Sequence, residues 1–139
     1  MTKLEYATKL AKMGFKVFPL RENDKRPLLK GNAQTQGTTD LNQVRDIWTQ
    51  YPKANIGIAT GDGLTVIDVD TIASHGVDGE SSLLDYQGKK GFINPTLEVT
   101  TPTGGKHYYY LTDTEYSNKA GILPGVDVRG LGGYVVGPG

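Results

Sequence analysis

Asp68 and Asp70 flank a single valine at the end of the run Leu64-Thr65-Val66-Ile67-Asp68-Val69-Asp70. A run this rich in β-branched and apolar residues reads as a strand, and alternate side chains of a strand share a face. The two carboxylates therefore stand on one side, about 6.6 Å apart along the backbone at ~3.3 Å rise per residue. Like charges at that spacing repel unless a cation lies between or beside them. Carboxylate oxygens suit a hard divalent ion such as Mg²⁺, which protein carboxylates commonly share with substrate phosphates. Paired acids closing an apolar strand are a local conflict of the kind found at functional sites. The plainer reading is two solvated aspartates at a strand end.

Two further segments carry similar chemistry. In Thr101-Pro102-Thr103-Gly104-Gly105-Lys106-His107 the paired glycines let backbone N–H groups approach phosphate oxygens. Thr103 adds a hydroxyl, and Lys106 and His107 add cationic donors. The spacing is not that of a P-loop, and a plain glycine hairpin beside an exposed histidine is the alternative. In Gly125-Val126-Asp127-Val128-Arg129-Gly130, Asp127 and Arg129 share a strand face and could simply pair. If the three strands lie side by side in one sheet, Asp68, Asp70 and Asp127 converge with His107 close by. Three carboxylates with a cationic donor can serve a two-metal phosphoryl-transfer site with ions ~3.5–4 Å apart. There Mg²⁺ or Mn²⁺ would activate a 3′-hydroxyl and neutralise a triphosphate, while His107 and the Gly104–Gly105 turn hold its oxygens.

The elements that must position these residues follow from periodicity and turn chemistry. Thr2 and Glu5 form a capping box ahead of Leu4, Ala7, Leu10 and Ala11, which recur on one helical face. Gly14 then suits a left-handed terminator, and Phe15–Leu20 reads as a strand. Residues 21–38 read as a polar, basic surface loop carrying Lys25, Arg26 and Lys30. Asp40 caps a second helix with Val44, Ile47, Trp48 and Tyr51 in register, stopped by Pro52. Asn55–Ala59 and Leu64–Val69 read as strands joined by a Thr60–Gly63 hairpin turn. A short helix is expected around Glu80–Tyr86. Leu97–Thr101 and Lys106–Leu111 read as another hairpin, and Val126–Val128 with Tyr134–Val136 as a last strand pair. The mixture predicts an α+β fold with a largely antiparallel sheet.

Composition bounds the function. At 139 residues, 37% hydrophobic and 22% charged, the chain has the length and balance of one globular domain. With no cysteine it has neither a disulfide framework nor Cys-ligated zinc nor a thiol nucleophile. The N-terminus lacks the apolar core of a secretory signal, and no run approaches the ~20 residues of a membrane helix, so no membrane partner is expected. Residues 1–60 hold ten Lys/Arg against five Asp/Glu, and residues 61–139 the reverse, which cancels to a net charge of zero. The basic half could face a polyanion and the acidic half hold divalent cations; chance and solvated faces explain the split equally well. On the same footing, Lys25 and Arg26 are candidate contacts to template or nucleotide phosphates, or solvated loop charges. Tyr108–Tyr110 could stack on bases but fit core packing better, and His75 reads as an exposed loop residue. The chain stops three residues after an apolar strand, which reads as a fragment of a longer protein.

Taken in order, these segments resemble the bifunctional DNA primase/polymerase (prim-pol) domain of the archaeo-eukaryotic primase superfamily. The likeness spans Gly14–Leu20 with Asn23, Lys25 and Pro27; Trp48; Asn55–Gly61; Val66–Asp70; Thr103–Tyr108; Gly125–Gly130; and Gly133–Val136. It implies an RRM-like, mostly antiparallel sheet with flanking helices and a small N-terminal α/β unit. It also implies one catalytic domain over 1–139 that continues into a longer replication protein. By resemblance, Asp68, Asp70 and Asp127 are catalytic metal ligands for Mg²⁺ or Mn²⁺. His107, helped by Lys106, Gly105, Gly104, Thr103 and Arg129, binds the incoming nucleotide. The implied activity is nucleotidyl transfer from an NTP or dNTP on single-stranded DNA, often without a primer. The implied setting is the cytoplasm of a bacterial or archaeal host, on a plasmid or phage, beside a helicase. The family's small-x-His turn often carries serine where this chain has Gly105, which removes one hydroxyl.

Two other readings use the same residues. A non-catalytic RRM-like nucleic-acid-binding module would need only the sheet and the basic loop, and leaves the paired acids unexplained. A nucleotide-sugar glycosyltransferase would use Asp-x-Asp for a metal–diphosphate, and leaves Asp127 and the basic half without a role.

Overall fold

The computed structural model describes residues 2–61, 63–69, 97–100, 105–111, 119–123 and 126–138. They divide into two compact units, Met1–Thr60 with Gly132–Gly139, and Gly61–Leu131. The fold is α+β, with helices and antiparallel sheets.

The first unit opens with α1 (Lys3–Lys12). Thr2 caps it by accepting from the Glu5 backbone N–H at 3.1 Å, and Gly14, at φ +95°, follows its last turn. β1 (Val17–Leu20) comes next, then α2 (Ala33–Gln36), capped by Asn32. α3 (Leu41–Gln50) is capped by Asp40, whose carboxylate accepts from the Asn42 and Gln43 N–H groups. β2 (Asn55–Ala59) and β8 (Tyr134–Val136) complete a sheet of order β1-β2-β8. Ala7, Leu10 and Ala11 of α1 and Val44 and Trp48 of α3 are buried, and the two helices pack together. The Trp48 indole N–H donates to the Ala54 carbonyl at 3.0 Å, which satisfies the one polar atom of this core side chain. Pro19 sits in β1 without breaking the β1–β2 ladder. Val17, two residues earlier, directs its N–H and C=O outward to Thr38, so the N–H missing from Pro19 belongs to that outer edge. Phe18 lies opposite Gly57, and its ring occupies the space where a Cβ would stand.

The second unit holds β3 (Leu64–Val69), β4 (Leu97–Thr100), β5 (Lys106–Leu111), β6 (Lys119–Leu123) and β7 (Val126–Arg129), in the order β4-β5-β3-β7-β6. β5 is antiparallel to both β3 and β4, so those two run parallel with β5 between them. β7 takes the far side of β3, and β6 extends the edge.

Several sequence expectations need correcting. Thr60–Gly63 does not close a hairpin between β2 and β3, because the two strands belong to different sheets. The local turn is tighter: Gly61 and Leu64 exchange backbone hydrogen bonds of 2.8 and 3.1 Å, with Gly61 at φ +97° and Gly63 at φ +94°. A Cβ on Gly61 would stand 2.8 Å from the Leu131 Cα. β8 pairs with β2, not with β7. A short helix, α2, and strand β6 occupy stretches expected to be loop. The helix expected around Glu80–Tyr86, and His75, lie outside the described residues.

Candidate active site

Asp68 is near the C-terminal end of β3, the central strand of its sheet. It pairs directly with His107 on β5 and with Asp127 on β7. Cross-strand partners share a face, so His107, Asp68 and Asp127 form one row running across three strands. Val99 on β4 extends the row beyond His107. The adjoining row on this face places Tyr109, Val66 and Arg129 side by side. Val66 is fully buried and Tyr109 only 1% exposed, so the charged row borders a packed apolar layer. Burial pushes the Tyr109 phenol well above its ordinary value, keeping it neutral.

The side chains meet. His107 Nε2 is 3.3 Å from Asp68 Oδ1. An Nη of Arg129 donates to Asp127 Oδ2 at 3.3 Å and lies 3.9 Å from Asp68 Oδ2. The pairing of Asp127 and Arg129 suggested by their shared face is therefore present. Two like charges directly opposed across strands destabilise a sheet, and here a guanidinium and an imidazole stand beside them. His107 is 7% exposed. Its Nδ1 is buried and finds no hydrogen-bond partner among the described residues, a costly state for a polar atom and one that often marks a functional position.

The opposite face carries an apolar cluster. Val69 and Val126 are buried there with Ile67 and Tyr108 against them. Lys106, adjacent to His107 in the strand, falls on this face and donates from Nζ to Thr100 Oγ1 at 2.9 Å. The structure thus separates Lys106 from His107 and Asp68. Gly105, immediately before β5, is buried. Asp70, Thr103 and Gly104 lie outside the described residues.

Lys25 and Arg26 belong to the first unit. Arg26 is held by Asp24, with Nε and Nη2 at 2.8 and 2.7 Å from Oδ2. Asp24 also accepts from the Lys25 and Arg26 backbone N–H groups. The loop is tied down from elsewhere: the Asn55 amide donates to the Asp24 carbonyl and the Tyr134 hydroxyl to the Lys25 carbonyl. Sequence reasoning missed Asp24 as the organiser of this loop. Asn23-Asp24 is turn chemistry, and Asn23 does adopt φ +52°.

Residues 7–139 match the family model Prim-Pol, the N-terminal domain of bifunctional DNA primase/polymerase. The chain belongs to the Prim-Pol family. No curated protein gives a significant match. Membership places the chain in a family of primase/polymerase-type nucleotidyltransferases. Among the described residues no three His, Cys, Asp or Glu side chains are grouped closely enough to hold a metal by themselves. The donor chemistry nonetheless fits a hard divalent cation: one or two carboxylates completed by substrate phosphates is the usual protein share of a Mg²⁺ site. No helix among the described residues is long and apolar enough to cross a membrane.

Proposed function

We propose that this Prim-Pol chain is a DNA primase/polymerase that carries out metal-dependent nucleotidyl transfer on a single-stranded DNA template. The observation that carries the reading is the row His107–Asp68–Asp127 across three strands, in a chain that belongs to this family. Asp68 and Asp127, with Asp70, would hold Mg²⁺ or Mn²⁺ as a two-metal site. When bound, the ions supply charge neutralisation on the triphosphate and acidify the 3′-hydroxyl. His107 and Arg129 offer cationic donors to phosphate oxygens beside the carboxylates, and Thr103, Gly104 and Gly105 would add the backbone N–H groups expected of their sequence. The 3′-oxygen forms a bond to the α-phosphorus, the bond to the bridging oxygen breaks, pyrophosphate leaves, and the hydroxyl proton passes to solvent. Lys25 and Arg26, in the first unit, would contact phosphates of the single-stranded template, Arg26 by leaving Asp24. The setting is plasmid or phage replication alongside a helicase.

Primer extension on a single-stranded template, with Mg²⁺ and with Mn²⁺, tests this. Wild-type protein should incorporate nucleotides, and Asp68→Asn and Asp127→Asn should each lower the rate at least ~100-fold, as expected for groups that hold a catalytic metal. Metal-independent binding of single-stranded DNA with no incorporation, unchanged in Asp68→Asn, would instead identify a non-catalytic RRM-like binding module, which the strand order also permits.

A further inference from the structure

Arg129 stands where a bound cation would compensate the two carboxylates. It reaches Asp127 Oδ2 at 3.3 Å and Asp68 Oδ2 at 3.9 Å with the same nitrogen, from a side chain one-third exposed. Asp68 and Asp127 are direct cross-strand partners, each about one-fifth exposed. Bringing two such acids together without compensation would strain the β3–β7 pairing. Arg129 is anchored by its own strand, two residues beyond Asp127 on the same face. Its planar fork is suited to sharing carboxylates.

We propose that Arg129 is a positioning residue that acts as a resident counter-cation. It holds Asp68 and Asp127 in register when no metal is bound, and competes with a divalent cation for the same oxygens. This rests on the assignment of the two carboxylates as metal ligands. Loading the site then requires the guanidinium to share or release the carboxylates, which frees it for an anionic group such as a triphosphate. The competition weakens metal binding in the absence of nucleotide, so occupancy becomes tied to the arrival of substrate phosphates.

Calorimetric titration of Mn²⁺ into wild-type protein, Arg129→Gln, Arg129→Met and Asp68→Asn, each also heated with and without Mn²⁺, decides the matter. Arg129→Gln should melt lower than wild type in the absence of metal, yet bind Mn²⁺ roughly fivefold more tightly, the scale of a partly exposed ion pair, and gain more in Tm on its addition. Loss of a merely structural arginine would weaken metal binding, not strengthen it. Equal or weaker Mn²⁺ binding by folded Arg129→Gln would overturn the proposal. Should that variant fail to fold, Arg129→Met, which keeps the apolar stem and loses the charge, carries the same criterion: tighter binding supports competition and equal or weaker binding rejects it. If wild-type protein binds no Mn²⁺ that Asp68→Asn loses, the metal-ligand assignment itself fails, and the counter-cation role fails with it.

Discussion

His107 and Asp68 show how one contact joins two strands and a chemistry. Their 3.3 Å approach aims the imidazole at the carboxylate row; on the proposed phosphate-binding role, His107→Ala should lower kcat/KM for nucleotide by roughly tenfold or more, chiefly through KM, as loss of a phosphate donor does. Steady-state kinetics would show the split, and an unchanged KM would remove His107 from the phosphate site. Asp24 offers a check by pH. Its side-chain hydrogen bond with Arg26, with backbone N–H groups adding, lowers its carboxyl from 3.8 to about 2. The folded value lies below the ordinary one, so the stabilisation is complete above 3.8 and is lost as pH falls through about 2. A carboxyl NMR titration should place the Asp24 midpoint near 2, and a midpoint at the ordinary value would mean the ion pair does not persist in solution. Tyr109 shifts the other way, upward through burial. Its stabilisation is present below the ordinary tyrosine value and fades as pH rises above it. The pairing of Asp127 with Arg129 was legible from period two alone. So was the separation of Lys106 from His107, because neighbouring strand residues face opposite ways; the turn motif drew attention to both and obscured that rule.

At the scale of elements, β2 depends on absence of a side chain. A Cβ at Gly57 would meet the Phe18 ring at 2.7 and 2.8 Å, with Leu20 beyond at 3.1 Å. Phe18 is wholly buried and stacks edge-on against Tyr134 at 5.3 Å, so the ring has little room to yield. Gly57→Ala should cost about 1–3 kcal/mol, the usual penalty of overpacking. Chemical denaturation would read it, and a neutral result would mean the β1–β2 pair can open. Helix α3 is secured by Trp48, fully buried with its indole N–H on the Ala54 carbonyl. Trp48→Phe should cost about 1–3 kcal/mol, because it leaves that carbonyl unpaired and removes volume. Both long helices were legible with their caps, since caps and apolar stripes are local signals. The hairpin expected at Thr60–Gly63 was not borne out, because turn residues specify that the chain bends and not which strand it pairs with next.

At the scale of the molecule, the first unit is discontinuous in sequence: residues 132–139 return to it after the whole second unit. β8 pairs with β2 through Val136, Val135 and Tyr134 opposite Gly57, Ile58 and Ala59. Val135 is buried, and the Tyr134 hydroxyl holds the Lys25 carbonyl at 2.8 Å. A chain ending at Leu131 should therefore lose cooperative unfolding of the first unit and expose residues 21–30 to protease, while Trp48 fluorescence shifts toward that of a solvated indole. Retention of a sharp transition with native Trp48 emission would show that β8 is dispensable. The family resemblance implied a small N-terminal α/β unit; the return of the last strand to that unit after the whole second unit was not legible.

Sequence by itself determined the helices with their caps, the strand that carries Asp68, the shared face of Asp127 and Arg129, and the family. Each depends on periods of 2 and 3.6 residues, or on ordered motifs, that a linear chain displays. Tertiary structure alone decided that His107, Asp68 and Asp127 occupy one row, that Arg129 stands between the two acids, and that β2 and β8 meet. Those facts rest on strand register between segments distant along the chain. Register is chosen by the packing of whole faces, which no short stretch of residues encodes.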